Sequence, residues 1–270
     1  MIDKNEILSL YKQNLSQIEM SKKLNVSQSY VSRVINQFGL KRDKSILNLN
    51  RVEIDIDYFK SIDNEEKAYW LGFICADGNI NKNNNKTTLT SKDLEVIEKF
   101  KKSVKSDHQI SHSKYLDKRT NKIYERYTIQ ISTKPFTTNI INLGITNDKT
   151  DKLSFPNIDE KYYSYFIAGM FDGDGSICYR KKNNQLLINL ISTKEIIKFI
   201  QNYLELNFSI KETKIQKVTY NNDEINVNKM GLYKRDDVLK FLKFIYKDDM
   251  SHLYLQRKYN IYKKEIENNG

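Results

Sequence analysis

Two stretches of this chain repeat one pattern. The first is Tyr69-Trp70-Leu71-Gly72-Phe73-Ile74-Cys75-Ala76-Asp77-Gly78, and the second is Tyr165-Phe166-Ile167-Ala168-Gly169-Met170-Phe171-Asp172-Gly173-Asp174-Gly175. Each is an apolar run containing small residues that closes on Asp-Gly. Their separation is too long for a solenoid repeat and suits a duplicated half-domain. On a helix Gly72 and Ala76 share a face, and so do Gly169 and Gly173. Small residues at that spacing let two helix backbones approach closely. A glycine inside a helix costs ~1 kcal/mol relative to alanine, so several of them need a packing reason. A pair of such helices would bring the carboxylates of Asp77 and Asp174 together.

The aspartates are expected at helix C-termini, where the helix dipole disfavours a carboxylate by ~0.3–1 kcal/mol. Two converging carboxylates repel further. Divalent cations relieve both penalties, and hard oxygen ligands select Mg²⁺, with Mn²⁺ as a substitute. Gly78 and Gly175 stand beside them in the candidate metal set and are expected to leave their helices in a conformation that other residues resist.

Of the 270 residues, 45 are Lys or Arg and 34 Asp or Glu, giving a formal charge of +11 that favours a polyanion partner. No apolar stretch approaches the ~20 residues of a membrane span, and the start has no signal-peptide pattern. Two cysteines make neither a disulfide framework nor a zinc set, which points to a reducing compartment: the cytoplasm of a bacterial or phage-infected cell, or an organelle matrix.

Residues 1–45 read as a small all-α unit. Helices are expected over Asn5–Gln13, Gln17–Leu24 and Gln28–Phe38, with Ser16 and Glu19 forming a capping box and Ser27 capping the third helix. Ile18, Ser21, Leu24, Val26, Val31, Val34 and Ile35 are the core candidates. This spacing resembles the DNA-binding helix-turn-helix family. The third helix would then offer Gln28, Ser29, Tyr30, Ser32 and Arg33 to a major groove, with Lys41, Arg42 and Lys44 behind it. Residues 46–64 read as a linker. Residues 65–155 and 156–267 each read helix-strand-strand-helix-strand-strand-helix, the second followed by an amphipathic helix from about Ser251 to Ile266.

The paired motifs resemble those of the LAGLIDADG homing endonucleases in their single-chain, two-repeat form. Trp70-Leu71-Gly72-Phe73-Ile74-Cys75-Ala76-Asp77-Gly78 and Ile167-Ala168-Gly169-Met170-Phe171-Asp172-Gly173-Asp174-Gly175 carry that resemblance. It implies an α+β fold of two pseudo-symmetric αββαββα repeats whose antiparallel sheets form a saddle, preceded here by the helix-turn-helix. It implies hydrolysis of both DNA strands across the minor groove, leaving 5′ phosphates and 3′ overhangs at a long asymmetric target, as in intron homing by a monomer. Asp77 and Asp174 would be catalytic. Lys134 and Lys234, each after a strand and before a helix, resemble the family's active-site lysine; Lys92 and Lys194 are weaker candidates.

Alternation along the strands nominates further contacts. Arg126, Thr128 and Gln130 alternate with Tyr127, Ile129 and Ile131, so the first set suits DNA and the second a core. Arg180, Asn226 and Asn228 are the corresponding candidates in the second repeat. His108, His112 and Lys114 read as DNA-facing or exposed. Double-stranded DNA is the expected partner. An RNA-binding intron maturase and a non-cleaving DNA-binding regulator are the alternatives on the same scaffold.

Overall fold

The structure, a computed structural model, describes residues 4–13, 15–40, 52–117, 120–146, 153–180, 185–220 and 223–267, the side chains of 219, 220 and 223–226 excepted. It divides into two compact units, Met1–Ile54 and Asp55–Gly270.

The first unit holds α1 (Lys4–Lys12), α2 (Gln17–Leu24) and α3 (Gln28–Gln37). Ser16 accepts from the Glu19 N–H and its own N–H donates to Glu19 at 2.6 Å, a complete capping box. Asn25 then turns the chain with φ 51°, and Ser27 caps α3 by accepting from the Tyr30 N–H. Ile7, Leu10, Met20, Val31, Val34 and Ile35 form the core. Ile18, expected inside, is 44% exposed. Two residues along a helix turn about 200°, so once Met20 faces inward Ile18 must face out. Lys41, Arg42 and Lys44, with the start of the expected linker, lie outside the described residues.

The second unit begins earlier than the sequence suggests. Within the expected linker, Tyr58 and Phe59 belong to the core: the Asp55 N–H donates to the Val104 carbonyl at 2.9 Å, and Phe59, fully buried, packs edge-on against Phe136. Two adjacent aromatics, Tyr58 and Phe59, supply the apolar area that holds this segment down. The first repeat then runs α4 (Glu65–Asp77), β1 (Gly78–Asn81), β2 (Lys86–Ser91), α5 (Leu94–Ser103), β3 (Ile110–Asp117), β4 (Lys122–Ile131) and α6 (Lys134–Asn142). The second runs α7 (Tyr163–Asp174), β5 (Gly175–Arg180), β6 (Gln185–Ser192), α8 (Lys194–Phe208), β7 (Gln216–Tyr220), β8 (Asp223–Leu232) and α9 (Arg235–Ile245). A last helix, α10 (Gln256–Glu267), starts later than expected, because Leu253, Tyr254 and Leu255 form a buried turn before it.

The two repeats build matching four-stranded antiparallel sheets, ordered β1-β2-β4-β3 and β5-β6-β8-β7. Register separates their faces. Ile80, Leu89, Ile129 and Ile131 are buried under the helices, while Asn79, Thr88 and Gln130, paired across β1, β2 and β4, point the other way. Ile188, Leu190, Met230 and Leu232 are the buried counterparts in the second sheet. Among the described residues no helix is long and apolar enough to cross a membrane.

Candidate active site

The helices α4 and α7 pack backbone against backbone. A Cβ on Gly72 would overlap the Phe166 carbonyl oxygen, and one on Gly169 would overlap that of Tyr69. A Cβ on Gly173 would overlap the Ala76 methyl and lie 3.5 Å from the Asp77 carboxyl carbon. The crossing therefore leaves room for hydrogen only, and it seats the Asp77 carboxyl beside the residue that precedes Asp174. Asp77 is half-buried and Asp174 exposed, both at helix C-termini.

Gly78 and Gly175 do not use glycine's left-handed freedom. Their φ values are −73° and −81°, ordinary extended backbone. Glycine is needed because a Cβ on Gly78 would sit 2.5 Å from the Ile74 carbonyl oxygen, and one on Gly175 would strike the Phe171 ring. The Gly175 carbonyl accepts a hydrogen bond from Lys258.

Lys258 was not singled out by the sequence. It comes from α10, is 2% exposed, and its ammonium donates to the carbonyls of Phe171 (2.5 Å), Asp172 (2.9 Å) and Gly175 (2.5 Å) while lying over the Phe171 ring. Burial pushes it down to about 8, opposed by the negative charges of Asp172, Asp77 and Asp174. The signal was legible in principle: Tyr254, Leu255, Tyr259 and Tyr262 are buried, and Lys258 stands on that same stripe.

Asp172 is the acidic letter of the second motif that the first motif replaces with Cys75. It is fully buried and accepts from the Tyr69 hydroxyl (2.8 Å), the Tyr246 hydroxyl (2.6 Å) and the Leu255 N–H (2.8 Å). Burial raises its carboxyl, with Lys258 the main opposing influence. Both carboxylate oxygens are occupied by these donors, so it is a structural tie.

An open cavity of about 550 Å³ adjoins Asp77, lined among others by Thr90, Lys92, Tyr115, Arg126 and Arg257. Arg126 lies over the Tyr115 ring at 4.5 Å. Thr128 bonds Thr90 across the strands, and Gln130 shares their exposed face with Arg126. His112 and Lys114 lie on the opposite face: His112 stacks on Tyr127 and Lys114 pairs with Glu125. His108 precedes β3 and bonds Ser106.

In the second sheet Arg180 is exposed at the end of β5. Asn228 is 6% exposed and pairs with buried Ser192, so it faces the core with Met230. The strand parity is one residue off from the expectation, and Lys229 and Gly231 occupy the outward positions. The Asn226 side chain is outside those described. Lys134 opens α6 and Lys234 caps α9, both exposed, as are Lys92 and Lys194. In the first unit Gln28, Ser29 and Arg33 are exposed, whereas Tyr30 and Ser32 are half-buried.

Among the described residues no cluster of three or more His, Cys, Asp or Glu is arranged for a metal. Two hard carboxylates at adjoining helix ends still fit Mg²⁺, which is commonly held by one or two carboxylates with water and substrate phosphate completing its shell.

Comparison with known proteins adds four observations. The replication factor C small subunit of Methanocaldococcus jannaschii is 29% identical over 167 residues, 60% of this chain but only 8% of that protein. The homing endonuclease I-WcaI bound to its DNA recognition sequence aligns over 82% of this chain and 96% of its own at 16% identity and TM-score 0.49. The N-terminal LAGLIDADG domain of DUF199/WhiA aligns over 73% and 92% at 16% identity and TM-score 0.44. A family model described as a LAGLIDADG-like domain matches twice, over residues 64–140 and 161–246. Those two segments are the repeats whose helices cross at Gly72 and Gly169, and with more than half of its length matched the chain belongs to the LAGLIDADG-like domain family.

Proposed function

We propose that this chain is a site-specific, divalent-metal-dependent endonuclease that hydrolyses both strands of DNA. The observation that carries this reading is the seating of Asp77 against Gly173, which sets two carboxylates at the adjoining ends of α4 and α7. Asp77 and Asp174 would hold the cations, which when bound activate water and neutralise charge on the departing 3′ oxygen.

The rest is done by the chain's own residues. Arg126, Thr128 and Gln130 in the first sheet, and Arg180 with Lys229 in the second, face outward and bind the duplex. Lys134 and Lys234, at equivalent strand-to-helix junctions, bring positive charge to the scissile phosphates. Because these contact sets differ between repeats, the target is asymmetric. In the N-terminal unit, Gln28, Ser29 and Arg33 line the exposed side of α3 and extend recognition into a major groove.

The test is incubation with a randomised double-stranded DNA library in Mg²⁺ and, separately, in Ca²⁺. The reading expects cleavage with 5′ phosphates and 3′ overhangs in Mg²⁺ and binding alone in Ca²⁺. Binding without cleavage in both ions would instead favour a regulator.

A further inference from the structure

The paired aspartates are not the only charges at this end of the helices. A cation from a different part of the chain is buried beneath them. Lys258 gives its three N–H donors to three carbonyls, those of Phe171, Asp172 and Gly175, which flank Asp174 on both sides in sequence. Such saturation fixes the ammonium, and a cation at a helix C-terminus opposes the dipole that would otherwise disfavour the carboxylate.

The segment that carries Lys258 is itself tied to both repeats. On the first, Lys99 donates to the Tyr254 carbonyl at 2.8 Å, the Gln256 N–H to Glu95 at 3.1 Å and Arg257 to Asp93 at 3.0 Å. On the second, the Leu255 N–H donates to Asp172. Residues 254–258 therefore form a clasp across the pseudo-symmetric pair, but all three of the ammonium's bonds go to the second repeat.

We propose that Lys258 is a positioning residue of the second half-site: by clamping the last turn of α7 it sets Asp174 where hydrolysis of one strand requires it. This rests on the nuclease reading above. Lys258 touches no substrate in this account; it acts through Asp174. Small misplacement of a reacting group costs about 10- to 100-fold in rate, and the loss falls on one strand, because the clamp is one-sided.

The experiment uses the full chain and a cleavable duplex labelled on each strand. Lys258→Met and Lys258→Gln are compared with wild type and with Tyr246→Phe, which removes a bond to Asp172 from the same region without touching the three carbonyls. Wild type is expected to cut both strands. Lys258→Met slows one strand about 10- to 100-fold and accumulates nicked product, with DNA binding in Ca²⁺ unchanged. Lys258→Gln, keeping an amide donor, shows a weaker bias toward the same strand, and Tyr246→Phe shows none. Equal cutting of both strands by folded, DNA-binding Lys258 variants overturns the proposal while leaving the nuclease reading intact. Loss of folding and binding together in both Lys258 variants makes the residue merely structural and overturns it too. Failure of the wild-type protein to cut any duplex overturns both readings.

Discussion

Asp172 is where the buried polar chemistry of the second unit converges. It draws hydroxyl bonds from Tyr69 and Tyr246, one from each repeat, and lies in the field of Lys258. Burial and then the charge of Asp172 hold both phenols well above their ordinary value of 10.0. A group whose folded pKa is raised contributes stability that is complete below its unfolded pKa and drains as pH climbs beyond it. The urea midpoint is therefore expected to fall as pH rises above 10, and to fall less in Tyr246→Phe, which removes one titrating phenol; an identical fall in the variant would contradict this. Lys258 has the opposite sign, its cost present below about 8 and relieved toward 10.5. Little of this network is legible in the sequence. The first motif has Cys75 where the second has Asp172, but nothing local says which tyrosines meet that carboxylate from 103 and 74 residues away. Lys258 left a trace, a charge on an apolar stripe, in a chain so rich in lysine that one more did not stand out.

The helices and strands were far easier to read. Apolar spacing and caps give α2 from Gln17 to Leu24, and the repeated element order gives four strands in each half. Gly72, Ala76, Gly169 and Gly173 announced a close crossing because small residues four apart have few other uses in a helix. What failed was phase. Asn228 was read outward and lies inward, since Asn is compatible with either face and the parity is set by Leu190 and Ser192 on the neighbouring strand. Ile18, a core candidate of the helix-turn-helix spacing, lies outward because Met20 takes the inward side of α2. The glycine crossing makes a sharp prediction. Gly169→Ala places a methyl where the Tyr69 carbonyl oxygen already stands, and two rigid backbones cannot both give way. A loss of about 3 kcal/mol in urea unfolding is expected, at the upper end for overpacking, whereas helix propensity alone would favour alanine by ~1 kcal/mol. A stabilised variant would mean that the helices do not touch there.

Across the whole second unit, duplication does most of the work. Two copies of one αββαββα plan build two matching four-stranded sheets and bring the ends of α4 and α7 together within one chain. The departures from symmetry are as informative as the symmetry. Cys75 takes the place in the first motif that Asp172 holds in the second, the outward residues of the two sheets differ, and the clasp at 254–258 reaches across both repeats but saturates only one helix end. The central claim is that Asp77 and Asp174 act as a pair on DNA. It is tested most directly by following both strands of one labelled duplex with wild type, Asp77→Asn and Asp174→Asn in Mg²⁺, and binding of the same duplex in Ca²⁺. The account predicts double-strand cutting by wild type alone, with all three proteins binding. Full double-strand cutting by either asparagine variant would contradict it.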